Sequence, residues 1–275
     1  LRSFTGYAVA VRVNDPGDIA DAAANVRETG NELFCVILHA ERPLSEIVFR
    51  EDQAAIPLAI MAPAMGKFRT LAKSVDLLRR SNLRIFLPCD NFDNLSALRI
   101  LSSLGIHSCA DFAASPYDWE AVTDLMTYAV LGRAPHAPIE PFAFIAANYD
   151  PHSILRWGSI EFNDPAHFLH LDAQGQVALS HDELQRGIYI TSGIAGIEPS
   201  ALSAAVDERA NAWRHYFVDN HPCASCAGWK ICLGRFSDDL PDDAGCAKFF
   251  SELIDVAAML KASAPQHDEG GIWRP

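Results

Sequence analysis

The sequence predicts an α/β protein: a partial barrel of about six βα units, followed by a small cysteine-rich module. Three observations carry this expectation. Short β-branched runs alternate with longer amphipathic stretches up to about Asp150, the rhythm of a parallel sheet with crossover helices. That rhythm stops after a proline-rich connection, and four of the seven cysteines then fall within 24 residues near the end. The expected divisions are 1–150 for the barrel, 151–261 for the cysteine module and 262–275 for a polar, loose tail.

The elements follow in order. Tyr7 to Val13 reads as the first strand, and Asp18 to Thr29 as a helix begun by a Pro-Gly turn and stopped by Gly30. Leu33 to His39 and Leu58 to Met61 are the next strands. The helix expected from Lys67 to Arg80 places Leu71, Val75 and Leu78 on one face. Leu83 to Leu87 is a fourth strand, Asn94 to Leu104 a helix, Ile106 to Phe112 a fifth strand and Asp118 to Leu131 a helix. Arg133 to Pro141 carries three prolines and reads as an extended connection, after which Phe142 to Ala146 is expected as the sixth strand. Six units joined by right-handed crossovers suit an open or partial barrel better than a closed eight-stranded one.

Beyond that point Phe168 to Leu171 and Gln176 to Leu179 flank Asp172-Ala173-Gln174-Gly175 and read as a β-hairpin. A helix is expected from Pro199 to Tyr216, with Leu202, Val206, Ala210 and Trp213 as its apolar stripe. An amphipathic helix from Ala247 to Leu260 closes the fold.

Composition narrows the function. At 275 residues and 49% apolar content the chain can bury a sizeable core. A net charge of -13 argues against a surface that tracks nucleic-acid phosphates. The longest apolar runs, such as Ile56 to Ala64, are broken by proline and fall far short of the roughly 20 residues of a membrane span. No signal-peptide pattern is visible, so a cytoplasmic location is expected, although the chain begins with Leu1 rather than Met. GxSxG, Walker A, GxGxxG and HExxH patterns are absent.

The cysteines carry the sharpest signal. Their spacing is Cys223-x2-Cys226-x5-Cys232, then thirteen residues to Cys246, with Pro222, Gly228, Gly234 and Gly245 nearby and no regular element expected between. A CxxC turn brings two thiolates to one face of a metal site; two more complete a four-thiolate zinc site or hold one iron-sulfur cubane. Spacing alone leaves both open. Four core thiols or two disulfides are the bland alternatives, and clustering at ligand spacing in a reducing compartment argues against them. Cys35, Cys89 and Cys109 sit singly in or just after predicted strands and read as core residues.

The stretch Phe168 to Cys246 resembles the SPASM domain, the auxiliary-cluster module of radical S-adenosylmethionine (SAM) peptide-modifying enzymes. The hairpin fits, except that Ser180 stands where that family has a cysteine. Cys223, Cys226, Cys232 and Cys246 match the later run, while Phe236 occupies another ligand position. The lost positions belong to the family's first auxiliary cluster, and the four retained cysteines are the complete ligand set of the second. The resemblance therefore implies one [4Fe-4S] cluster at these four residues, with zinc as the alternative. It also implies that the first half is the family's TIM-like partial (α/β)6 barrel. Its CxxxCxxC is missing, however: after the first strand stands Asn14-Asp15-Pro16-Gly17-Asp18. Neither bound SAM nor radical chemistry is expected from such a degenerate, pseudo-radical-SAM chain. His39-Ala40-Glu41-Arg42-Pro43-Leu44 resembles the family's SAM-contacting GGEP segment but lacks both glycines.

Other candidates are weaker. His39, Glu41 and Asp90 follow predicted strands at the end where barrel enzymes keep their chemistry; ordinary loop hydrogen bonding is the plainer reading. His167, His170 and His181 flank the hairpin and offer a spare ligand that four cysteines do not need. Asp238, Asp239, Asp242 and Asp243 form an acidic loop, ordinarily solvated, that suits a basic partner or peptide. The leading expectation is a protein that binds a peptide or a partner maturase in peptide maturation or modification, with its cluster as a structural element. The alternatives are a non-radical barrel enzyme using His39, Glu41 and Asp90 beside a structural zinc, or an electron-transfer protein using the cluster.

Overall fold

The computed structural model describes residues 6–112, 117–155, 164, 165, 167–193, 197–237 and 245–263. Six strands, β1 (Ala8–Val13), β2 (Glu32–His39), β3 (Leu58–Met61), β4 (Leu83–Pro88), β5 (Ser108–Asp111) and β6 (Ile139–Glu140), form one sheet in sequence order. Every neighbouring pair is parallel. Parallel neighbours cannot be joined by a tight turn, so the chain crosses over between them. The crossovers contain α1 (Ile19–Glu28), α2 (Phe68–Leu71), α3 (Val75–Arg80), α4 (Phe92–Ser103) and α5 (Trp119–Leu131).

Alternation along each strand gives the sheet two different faces. Val36, Leu38, Leu58, Ile60, Ile85, Leu87 and Ala110 share one core with Ile19 and Ala23 of α1, Leu95, Leu98 and Leu101 of α4, and Val122, Leu125 and Met126 of α5. Each fully buried Leu or Ile there contributes roughly 1.5–3 kcal/mol. The intervening residues Cys35, Ile37, Ala59, Phe86 and Cys109, with Met61 against them, form a separate, smaller cluster on the other face.

Local chemistry sets the helix starts. The Asn91 side chain accepts from Asn94 N at 2.9 Å to begin α4, and Asp118 accepts from Ala121 N at 3.1 Å to begin α5. Gly30, which ends the turn after α1, has φ +76°, a conformation favouring glycine.

Several expected boundaries are corrected. The sixth strand is Ile139–Glu140, inside the stretch expected as a connection, with Ile139 paired to Ser108 and Glu140 to Cys109. Phe142 to Ala146 is helical, within α6 (Phe142–Asn148). A short apolar run does not separate helix from strand by periodicity. The Glu140 carboxylate accepts from Phe144 N at 2.8 Å, and Phe142 and Ile145 are the buried pair at helical spacing. The helix expected over 67–80 is divided into α2 and α3, which still bury Leu71 and Leu78.

After the sheet, β7 (His170–Leu171) and β8 (Val177–Ala178) form the expected antiparallel hairpin. The Asp172 carboxylate accepts from Gln174 N and Gln176 N in its turn, and Gly175 has φ +84°. Then come α7 (His181–Gln185), α8 (Pro199–Ala210), α9 (His215–Val218), α10 (Trp229–Cys232) and α11 (Gly245–Ser263). The helix expected from Pro199 to Tyr216 breaks at Asn211, whose side-chain amide donates to Asp207 O at 2.7 Å and competes with the backbone ladder. None of the expected apolar stripe on α8 is fully buried.

α11 packs against α5 and α6. Its Phe249 ring lies 5.4 Å from that of Trp119 and 5.9 Å from that of Phe142. Ile231, Phe236, Phe249, Phe250 and Leu253 belong to the same core as α4 and α5, so the cysteine region is anchored to the sheet's helical layer.

Candidate functional site

The four clustered cysteines lie on short elements held by backbone hydrogen bonds. Pro222–Ser225 is a single 3-10 turn whose start is capped by His221, its Nδ1 accepting from Cys223 N at 3.2 Å. Cys226 N donates to Cys223 O and Trp229 N to Cys226 O, leading directly into α10, which ends on Cys232. The sequence reading expected no regular element between these cysteines; the turn and α10 correct it. Leu233 and Gly234, with φ 51° and 82°, reverse the chain. Cys246 stands in the first turn of α11, where the helix dipole favours a thiolate.

Electrostatics ties these thiols together. Cys223 is held above the ordinary thiol range by burial and then by Cys226. Cys232 is pushed up to about 11, first by burial, with further increases from Cys246 and Cys223; backbone N–H groups of Phe236 and Gly234 donate to its sulfur and oppose the rise. The interactions run from Cys226 to Cys223 to Cys232 to Cys246, linking the whole quartet. None of the four is in a disulfide and all are half-buried, whereas Cys35, Cys89 and Cys109 are buried in or just after the strands. Among the described residues, the four cysteines included, no group of three or more His, Cys, Asp or Glu side chains is placed to hold a metal ion. Cys223, Cys226, Cys232 and Cys246 are the cysteines that the sequence nominates for a metal centre, and the structure does not group them as its ligands.

Ser180 and Phe236, the two positions where the SPASM resemblance would place cysteines, have other tasks. Ser180 caps α7, its hydroxyl accepting from Glu183 N at 3.1 Å; the Glu183 carboxylate accepts from Leu179 N and pairs with Arg209 Nε at 2.6 Å. Phe236 is 3% exposed, and its ring lies 5.6 Å from Phe112, 5.2 Å from Trp119 and 5.9 Å from Phe250. Where a CxxxCxxC loop would follow the first strand, Asp15 accepts from Gly17 N at 2.7 Å and caps the 3-10 turn Pro16–Asp18.

A second constellation lies at the C-terminal ends of the strands. A cavity of about 400 Å³ has an apolar floor of Ile37, Ala59, Met61 and Phe86, and its polar lining includes Arg12, His39, Asp111, His181, Asp182, Gln185 and Arg235. Arg12 Nη1 lies 2.8 Å from both ring nitrogens of His181 and donates to His39 Nε2 at 3.4 Å. The His181 ring stands 6.1 Å from that of His39 and 6.2 Å from that of His170, whose buried Nε2 has no hydrogen-bond partner among the described residues. Burial, then Arg12, holds His39 below its ordinary value; the same causes, in that order, bring His170 and His181 to about 4. All three rings are neutral at pH 7, and each neutral ring keeps a lone pair to accept from a donor.

Of the sequence candidates, His39 reaches this cavity. Glu41 is exposed and outside its lining, and the Asp90 carboxylate accepts from the Asn91 and Asn94 side chains at the start of α4. His167 pairs with Asp164 at 3.2 Å. The acidic loop of Asp238, Asp239, Asp242 and Asp243, and the tail from 264, lie outside the described residues. Sequence reasoning missed Arg12, Asp111 and Arg235. The signal for Arg12 and Asp111 was their place near the ends of strands, at positions where alternation turns them toward the face opposite the helices.

Comparison with protein-family models, with curated proteins and with solved structures finds no match to this chain. Among the described residues no helix is long and apolar enough to cross a membrane. The fold and sites define a mixed α/β protein with a six-stranded parallel sheet, a cysteine quartet on its helical side and a polar cavity at its strand ends.

Proposed function

We propose that the chain is an iron-sulfur-binding protein of the degenerate radical-SAM/SPASM type, in which Cys223, Cys226, Cys232 and Cys246 hold one [4Fe-4S] cluster and the protein binds a peptide or a partner maturase in peptide maturation. The observation that carries this reading is the placement of four cysteines at ligand spacing on one turn, α10 and the start of α11, with Cys223 acting on Cys232 and each feeling a further member of the set. Burial favours the protonated thiol at Cys232 while no metal is bound, and the backbone N–H donors aimed at its sulfur partly offset this, easing the thiolate form that a cluster requires. The tasks of Ser180 and Phe236 support a single centre, because both positions serve packing and capping.

The sequential, all-parallel strand order supports a partial (α/β)6 barrel, with helices on one face and a cavity on the other. The capped turn after β1 has no thiol to offer a SAM-binding cluster, so the work of this chain is binding rather than radical chemistry. The cluster would fasten the loop around α10 to the start of α11 and hold the peptide-facing parts in register. A cytoplasmic location fits a centre built on reduced thiols.

Cys226→Ala tests the reading. The variant is expected to lose the metal and melt at lower temperature, since metal binding and local folding are linked; full metal content with an unchanged melting temperature would contradict it. Anaerobic co-purification with a maturase or its peptide tests the binding role, and failure to recover either counts against it.

A further inference from the structure

In the strand-end cavity Arg12 has no acidic partner among the described residues. Arg12 meets only neutral groups there: Nη1 engages the His39 and His181 rings, and no carboxylate lies within ion-pair distance of its guanidinium among the described residues. A guanidinium has five N–H donors in a planar fork, and contacts through Nη1 alone leave Nη2 and Nε for another acceptor. The two imidazoles orient the fork without neutralising it.

The rest of the lining restricts what enters. Ile37, Ala59, Met61 and Phe86 make the floor apolar. Asp182 and Asp111 also line the cavity, so a cation at Arg12 and carboxylate acceptors face one space and suit a ligand carrying an acid and N–H donors together. The volume lies within the roughly 300–1,000 Å³ of small-ligand sites. A bare inorganic anion would leave the apolar floor wet, and a metal cation would be repelled by Arg12.

We propose that this cavity receives the carboxylate end of a peptide, with Arg12 as the carboxylate's partner, an apolar side chain on the Ile37, Ala59, Met61 and Phe86 floor, and peptide N–H groups toward Asp111 and Asp182. This deepens the peptide-binding reading and assigns it a site. It does not depend on the cluster, whose presence is read separately. His39 and His181 act as positioning residues, because each bears on the ligand through Arg12.

The test uses the full chain, with iron and sulfide measured on every sample, and titrates three probes by calorimetry: N-acetyl-alanyl-leucine, its C-terminal amide, and an N-acetyl-glutamyl-leucine amide. Saturable binding is expected for the free acid and at least a tenfold loss for the alanyl amide. Recovery of binding by the glutamyl amide would identify a side-chain carboxylate as the ligand; its failure beside a binding free acid identifies a chain terminus. Either supports the carboxylate site. Arg12→Gln should weaken the acid at least tenfold with little change in melting temperature, and Arg12→Lys, which keeps the charge without the fork, should restore part of the affinity. The imidazole NMR signals of His39 and His181 should move with the acid and not with the alanyl amide, a readout that a merely structural Arg12 would not produce. Equal binding of acid and alanyl amide, undiminished binding by Arg12→Gln, or no binding of either carboxylate probe up to about 10 mM, weaker than any useful recognition, would overturn the proposal. Retained iron and sulfide in that case would leave the cluster reading standing.

Discussion

Arg12 and His181, separated by 169 positions in the chain, meet with 2.8 Å between the guanidinium Nη1 and each imidazole nitrogen. The contact joins β1 to the helix after the β-hairpin and places a permanent cation against a ring that must stay neutral. Replacing Arg12 by Gln removes one of the two main causes of the depressed His181 value but leaves burial, the larger cause, in place. His181 is therefore expected to titrate above its present value of about 4 yet below the ordinary 6.5, as read from imidazole NMR shifts in a pH series. An unchanged midpoint would show that Arg12 does not face the ring in solution.

Acid should destabilise the fold through the same rings. His170 and His181 bind protons near pH 6.5 when unfolded and only near pH 4 when folded. Between those values the unfolded chain carries more protons, so unfolding free energy rises with pH; stability is full above 6.5 and is lost progressively toward 4. The largest loss His170 can contribute is about 3 kcal/mol, while the more exposed His181 contributes less through solvent screening. Urea denaturation at pH 7 and pH 4.5 checks this. His170→Gln should flatten the difference, and an equally steep pH dependence in that variant would contradict the assignment.

Phe236, the position that the proposed SPASM resemblance would give to a ligand, fills the aromatic cluster of Phe112, Tyr117, Trp119 and Phe250. Phe236→Ala should cost roughly 3–5 kcal/mol, the range for emptying a buried aromatic site. Chemical denaturation measures it. A loss below about 1 kcal/mol, typical of surface substitutions, would mean that the ring is not packed as described.

Much of the architecture was legible because strand periodicity and helix caps are local. The first five strands and the hairpin with Gly175 in its turn are found where the residue pattern puts them, within a few positions. The sixth strand was not legible. Phe142 to Ala146 carries the composition of either element, and what decides for helix is the Glu140 carboxylate at its start together with the pairing of Ile139 to Ser108. Asn211 shows another limit: Pro199 to Tyr216 keeps helical spacing throughout, yet one side-chain amide bonding to the Asp207 carbonyl ends the helix early. The clustering of the four cysteines is visible in their spacing because they are close in sequence, whereas a shared site is not, because spacing does not fix where the sulfurs point. The cavity could not be read from sequence, because Arg12, His39, Asp111, His181 and Arg235 come together only through the sheet and the packing of distant segments.

Gly228 is the point at which the cysteine loop touches the final helix. A Cβ built there would lie 2.3 Å from Phe250 Cβ, so Gly228→Ala must push α11 away from the loop. Overpacking of this kind costs typically about 1–3 kcal/mol. Thermal denaturation of the metal-free protein should show the drop even without a cluster. An unchanged midpoint would mean that loop and helix do not meet so closely.

The central claim is that Cys223, Cys226, Cys232 and Cys246 share one iron-sulfur centre, and its most direct measurement is the iron, acid-labile sulfide and zinc content of protein purified without oxygen. About four iron and four sulfide per chain are expected, as one cubane requires, with both lost together in Cys226→Ala. About one zinc per chain with no sulfide, or a metal-free protein whose four cysteines all react freely, would contradict it.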